Sequence, residues 1–151
     1  MKEWQSLDDV LDFAIGEEEA AAAFYQELSA TVKGQHMRRL FLEFSEEEKG
    51  HKAKLQRVKE GHASISSGGK VPDLKIGDYL VDLAPVPSMD YQQALTLAMK
   101  KEKAAFKLYT HLAQTVGAGA LRETFLGLAQ EEARHKLRFE VEYDEEILRE
   151  N

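Results

Sequence analysis

The chain repeats itself at an offset of 84 residues, and this constrains its fold more than any other feature. Leu11, Ala14, Glu18, Ala20, Ala21, Tyr25, Leu28, Thr31 and Val32 meet identical residue types at 95, 98, 102, 104, 105, 109, 112, 115 and 116. The register survives an intervening turn. Arg38, Phe41, Leu42, Glu47, Glu48, His51 and Lys52 meet Arg122, Phe125, Leu126, Glu131, Glu132, His135 and Lys136. Two such units packed face to face carry pseudo-twofold symmetry, so whatever lies on the inner seam of one recurs opposite itself in the other.

Each unit is a pair of helices. Residues spaced alternately by three and four form an apolar line in each of four segments, the signature of one helix face. The first line is Leu11, Ala14, Glu18, Ala21, Tyr25, Leu28 and Val32; the second is Met37, Phe41, Phe44, Glu48, His51, Leu55 and Val58. The third and fourth run through Leu95, Ala98, Glu102, Ala105, Tyr109, Leu112 and Val116, and through Leu121, Phe125, Leu128, Glu132, His135 and Phe139. Ser6 with Asp9, and Asp90 with Gln93, have the spacing of capping boxes and predict helix starts near residues 7 and 91. Gly34, Gly61 and Gly117 fall where left-handed caps end helices one, two and three. The short links "KGQ" and "VGAGA" make antiparallel hairpins.

The repeat units span about residues 7–60 and 91–144 of a single domain, 1–151. Between them a crossover, about 62–89, holds all three prolines and the pair Gly68 and Gly69. At roughly 3.3 Å per extended residue it can run the length of a bundle. Ile76, Tyr79, Leu80 and Leu83 have helical spacing and fit either one short helix or a loop pinned by apolar anchors. The fold expected is all-α: a four-helix bundle of two antiparallel hairpins joined by a long crossover.

Six residues on the inward lines are not apolar: Glu18, Glu48, His51, Glu102, Glu132 and His135. An unpaired carboxylate in such a core costs several kcal/mol even after relaxation, and four together repel one another. No Lys or Arg shares the inward lines. Two divalent cations would balance the four glutamates. The i,i+3 spacing of Glu48 with His51, and of Glu132 with His135, puts an oxygen and a nitrogen on one face. There is no Cys, so thiolate sites are excluded and carboxylate with imidazole remains, a set suited to iron, manganese or zinc. One Glu from each of two helices plus Glu-x-x-His from each of the other two is the arrangement of dinuclear iron or manganese sites in ferritin-like bundles.

The stretches "EEAAAAFY" from Glu18, "EEKGH" from Glu47, "EKAAFKLY" from Glu102 and "EEARH" from Glu131 resemble the rubrerythrin group of the ferritin-like superfamily over nearly the whole chain. The resemblance implies a ferritin-like fold with a di-iron site, Glu48 and Glu132 bridging, Glu18 and Glu102 terminal, and His51 and His135 each on one metal. It implies a homodimer or larger homo-oligomer that reduces hydrogen peroxide or oxidises ferrous iron with dioxygen or peroxide. The group commonly carries a Cys-rich electron-delivery module, whereas this sequence has no Cys, so an external electron-donor protein or small reductant is expected. The group also carries an extra Glu one turn after the third-helix ligand, associated with metal movement during peroxide reduction. Here that position is Ala105.

The remaining residues fill in the expectation. Tyr25 and Tyr109 lie two turns beyond Glu18 and Glu102 and can set hydroxyls against the ligand carboxylates. Glu47 and Glu131 flank the seam and read as solvated, as do Glu17, Glu19 and Glu46. His36, His62 and His111 lie off the inward lines and read as surface residues. Gly50 and Gly127, inside helices, fit either close packing or access to the site. A formal net charge of -7 disfavours nucleic acid. The N-terminus lacks a signal-peptide pattern and no long uncharged apolar run can span a membrane, so a cytoplasmic protein is expected.

Overall fold

The computed structural model describes residues 6–32, 34–62, 90–116 and 118–150. They form four α-helices: α1, Leu7–Thr31; α2, Gln35–His62; α3, Tyr91–Val116; and α4, Ala120–Glu150. The two predicted starts are where the capping residues put them. Ser6 is extended and its Oγ accepts from the Asp9 N–H at 3.1 Å. At α3 the box is complete: the Gln93 N–H donates to Asp90 Oδ1 at 2.7 Å, and Gln93 Oε1 accepts from the Asp90 N–H at 2.9 Å.

The glycine ends differ from expectation. Val32 closes α1 in extended conformation, with its N–H on the Leu28 carbonyl at 3.0 Å. Gly61 lies inside α2, and Gly117 lies outside the described residues. Among the described residues the one positive-φ glycine is Gly119, at φ 136, and its carbonyl accepts the Glu123 N–H at 3.1 Å. The left-handed residue therefore serves the start of α4, where a Cβ would be strained.

Two apolar clusters fix the topology. One joins the start of α1 (Val10, Leu11), the end of α2 (Leu55), the end of α3 (Leu108, Tyr109, Leu112) and the start of α4 (Phe125, Leu128). The other joins the end of α1 (Phe24, Tyr25), the start of α2 (Phe41, Phe44), the start of α3 (Leu95, Ala98) and the end of α4 (Phe139). Hence α1 is antiparallel to α2 and α3 to α4, while α2 and α3 run the same way. The chain leaves α2 at one end of the bundle and enters α3 at the other, as a crossover requires. The predicted short helix around Ile76, Tyr79, Leu80 and Leu83 lies outside the described residues.

Each cluster takes its members from opposite halves of the two repeats. Tyr25 and Phe41 sit in one, their counterparts Tyr109 and Phe125 in the other. A pseudo-twofold axis across the middle of the bundle exchanges the clusters. Burying each large apolar side chain contributes about 1.5–3 kcal/mol, and these two clusters hold the frame in which the polar layer between them is fixed.

His36 is at the surface, as expected, but not idle. Its ring is exposed, yet Nε2 lies 3.0 Å from Oε1 of Glu142, a buried carboxylate that also meets Arg138 at 3.2 Å and the Tyr91 hydroxyl at 3.3 Å. This network ties the start of α2 to α3 and α4. No helix among the described residues is long and apolar enough to cross a membrane.

Candidate metal centre

Glu18 of α1, Glu102 of α3, Glu48 and His51 of α2, and Glu132 and His135 of α4 meet between the two clusters, all of them buried. They form two overlapping groups, Glu18, Glu48, His51 and Glu132, and Glu48, Glu102, Glu132 and His135. Within each group the donor atoms lie within 4.8 Å of one another. Glu48 and Glu132 belong to both. The i,i+3 spacing thus delivers an oxygen and a nitrogen together on α2 and on α4, as the helix period dictates.

Both imidazoles turn Nδ1 inward. His51 Nδ1 lies 2.8 Å from Glu132, 3.5 Å from Glu18 and 3.7 Å from Glu48. His135 Nδ1 lies 2.9 Å from Glu48, 3.7 Å from Glu102 and 4.0 Å from Glu132. The rings are nearly parallel, 5.9 Å apart between centroids. These approaches are close but not aligned as hydrogen bonds. Glu18 Oε2, Glu102 Oε2, both oxygens of Glu48, both of Glu132, and Nδ1 of each histidine are buried without a hydrogen-bond partner among the described residues. Eight such atoms converging on one layer are costly unless something coordinates them, and a set of carboxylate oxygens and imidazole nitrogens suits a pair of divalent transition-metal ions.

The electrostatics carry the same message. Burial, reinforced by Glu132 and Glu18, pushes Glu48 well above the usual carboxylate range; burial and Glu102 do the same to Glu132. Burial also opposes charge on Glu18, but the close approach of Glu48 and His51 outweighs it and lowers Glu18 to about 2. His51 loses less to burial than it gains from Glu132 and Glu18, and rises to about 11. At Glu102 burial is likewise outweighed, by His135 first, and its pKa falls. Left to themselves, the groups balance their charges by holding protons that a cation can displace.

The surrounding residues repair several sequence expectations. Tyr25 donates to Glu102 Oε1, and Tyr109 donates to Glu18 Oε1 at 2.5 Å, each crossing to the other hairpin. Glu47 and Glu131 are not merely solvated flanks. Glu131 Oε2 meets Nε2 of His51, and Glu47 Oε2 lies 3.0 Å from Nε2 of His135. Each carboxylate thus fixes a ring whose Nδ1 faces the seam. Arg134 holds Glu47 at 2.5 Å, and Phe44 stacks on His135 with centroids 4.1 Å apart. Repetition of Glu47 and Glu131 was the available signal, since a solvated flank has no reason to recur at the same offset.

Lys101 and Glu17 are the larger surprise. Neither lies on an inward line, yet the Lys101 side chain is 2% exposed and its Nζ is 3.7 Å from Glu17 Oε2. The two positions are 84 residues apart, so they are counterparts that meet where α1 faces α3. Gly50 and Gly127 answer the packing question: a Cβ at either would touch nothing within 4 Å.

Among solved structures the chain is similar to the hypothetical protein Pfu-1136390-001 from Pyrococcus furiosus, at 24% identity and TM-score 0.75, over 93% of this chain and 89% of that one. It is also similar to a protein from Thermotoga maritima (tm1526), described as a ferritin-like diiron-carboxylate protein. That match has 20% identity and TM-score 0.78, and covers 97% of this chain and 99% of the other. At these identities the likeness speaks for the fold. No curated protein matches the chain. The rubrerythrin family model matches residues 9–65 and 93–150, the two repeats with little left over. With a buried Glu and His cluster suited to metal binding at the centre of a ferritin-like bundle, the chain belongs to the rubrerythrin family.

Proposed function

We propose that Glu18, Glu48, His51, Glu102, Glu132 and His135 hold two metal ions, iron in preference to manganese or zinc, and that the protein is an oxidoreductase of peroxidase or ferroxidase type. The observation that carries this is the convergence of eight unpartnered buried donor atoms on one layer of the bundle. Glu48 and Glu132, common to both groups, would serve both ions; Glu18 with His51, and Glu102 with His135, would complete one position each. Four ionised glutamates balance two divalent ions.

A bound iron pair supplies the electron transfer to hydrogen peroxide or dioxygen, with electrons returned by an external donor protein. The chain itself does the rest. The two apolar clusters exclude water from both ends of the layer. Tyr25 and Tyr109 hold the outer oxygens of Glu102 and Glu18, leaving one oxygen of each free to bind. Glu131 and Glu47 keep the histidine rings turned so that Nδ1 is the donor.

Ala105 favours a second reading. It is 4% exposed, packed in an apolar cluster, at the position where the family's additional carboxylate would stand. A site with that position blocked suits oxidation and handling of iron without sustained peroxide turnover. Anaerobic loading with two equivalents of ferrous iron, then peroxide, separates the readings. Rapid oxidation with turnover by an added reductant supports the peroxidase. Stoichiometric oxidation without turnover supports iron handling. If the protein takes up no metal and iron leaves its melting temperature unchanged, both fail, because a filled site must stabilise the fold.

A further inference from the structure

We propose that the two metal positions are inequivalent. The position of Glu102 and His135 binds a divalent cation first and tightly, and that of Glu18 and His51 takes the second, weakly and exchangeably. This rests on the metal reading above, and it comes from the places where the repeat breaks its own symmetry.

The first break is a charge. The repeat would put the same residue type at 17 and 101, but the chain has Glu17 facing Lys101. The glutamate end of the pair is 19% exposed and the lysine end 2%, so the negative charge lies toward water and the positive charge toward the seam. The Lys101 side chain reaches from α3 to Glu17 on α1, the residue next to Glu18, so its ammonium lies on the α1 side of the seam. A buried charge is weakly screened. The ammonium therefore opposes a cation beside Glu18 more than one beside Glu102.

The second break concerns how firmly each histidine is held. Glu47, which fixes His135, is itself fixed by Arg134 at 2.5 Å. The counterpart of Arg134 at His51 is Gly50, so the glycine gives Glu131 no equivalent clamp. The Glu131 side chain is 42% exposed against 29% for Glu47. Phe44 stacks on His135, whereas its counterpart Leu128 has no ring to offer His51. A donor already held in place loses less freedom on binding. Charge and rigidity, carried by different residues, rank the two positions in the same order.

Anaerobic titration of the metal-free full chain with cobalt(II), followed by calorimetry and visible absorption, tests this. Wild type should load in two resolved steps. His51→Ala should remove the weaker step and His135→Ala the tighter one. Lys101→Met should strengthen the second step about tenfold and leave the first nearly unchanged. Glu17→Gln combined with Lys101→Met is the control against a stranded Glu17 unfolding the bundle, and should behave the same. One step with equal affinities, or a Lys101→Met effect equal on both steps, overturns the inference while leaving the dinuclear site intact. Absence of any cobalt uptake overturns it together with the reading it rests on.

Discussion

Tyr109 donates its hydroxyl to Glu18 at 2.5 Å, across the boundary between the two hairpins, while the tyrosine on Glu18's own helix, Tyr25, serves Glu102. The helical rise explains the exchange. Seven residues carry Tyr25 about 10 Å along α1 from Glu18, but an antiparallel α3 brings Glu102 back level with it. The hydroxyls couple the two halves of the site. Tyr109→Phe should leave a buried carboxylate short of a donor, costing roughly 1.5–3 kcal/mol in the metal-free protein. Metal affinity should fall about tenfold or more. Tyr25→Phe should match it, and denaturant unfolding with calorimetric titration reads both effects.

Glu47 and Glu131 hold the histidines from outside, so their loss should be felt by metal without any change in the ligand set. Glu47→Ala should weaken binding about 10–100-fold through His135, and Glu131→Ala similarly through His51. Neither carboxylate is fully buried, so the fold should tolerate both changes. The measurement is metal affinity at unchanged helical circular dichroism; an unaltered affinity would refute the orienting role.

The helices, their antiparallel pairing and the six seam residues were legible because each rests on a period: three and four along a helix, 84 along the chain. The pairing of Tyr25 with Glu102 was not, because the lines say which residues point inward and not how far one helix slides along another. Lys101 escaped for a related reason. It sits beside Glu102 off the inward line, and its meeting with Glu17 depends on how the two hairpins come together, which no period along one chain reveals. Gly34 and Gly61 misled because a glycine after a helix marks a turn, while which residue takes the left-handed conformation depends on the link. Among the described residues Gly119 takes it, at the start of α4.

Gly50 and Gly127 lie inside continuous α2 and α4 with no neighbour among the described residues that a methyl group would strike. Each costs about 1 kcal/mol of helix stability relative to alanine. Gly50→Ala and Gly127→Ala should therefore each stabilise the protein by up to about 1 kcal/mol, or raise the melting temperature by about 2–4 °C. A loss of stability in thermal or denaturant unfolding would show that the space beside these residues is used by something else.

The seam makes stability and metal affinity respond to pH in opposite directions. Glu48 and Glu132 are raised in the folded metal-free protein, so they bind protons there that the unfolded chain releases above about pH 4.5. His51, at about 11 against 6.5 unfolded, does the same from pH 6.5 upward. Each such proton lowers stability by about 1.4 kcal/mol per pH unit while it is held by the folded state alone. Glu18, lowered to about 2, and Glu102, also lowered, act in the other sense and cost stability below about pH 4.5. The seam contribution in chelator-treated protein should therefore peak near pH 4.5–5 and decline through neutrality, most steeply above 6.5. Cations compete for the same atoms, so loading near pH 7 should release protons and tighten as pH rises. Calorimetric titration in two buffers of different ionisation enthalpy counts the protons. Uptake without proton release would mean that the metal does not reach Glu48, Glu132 and His51.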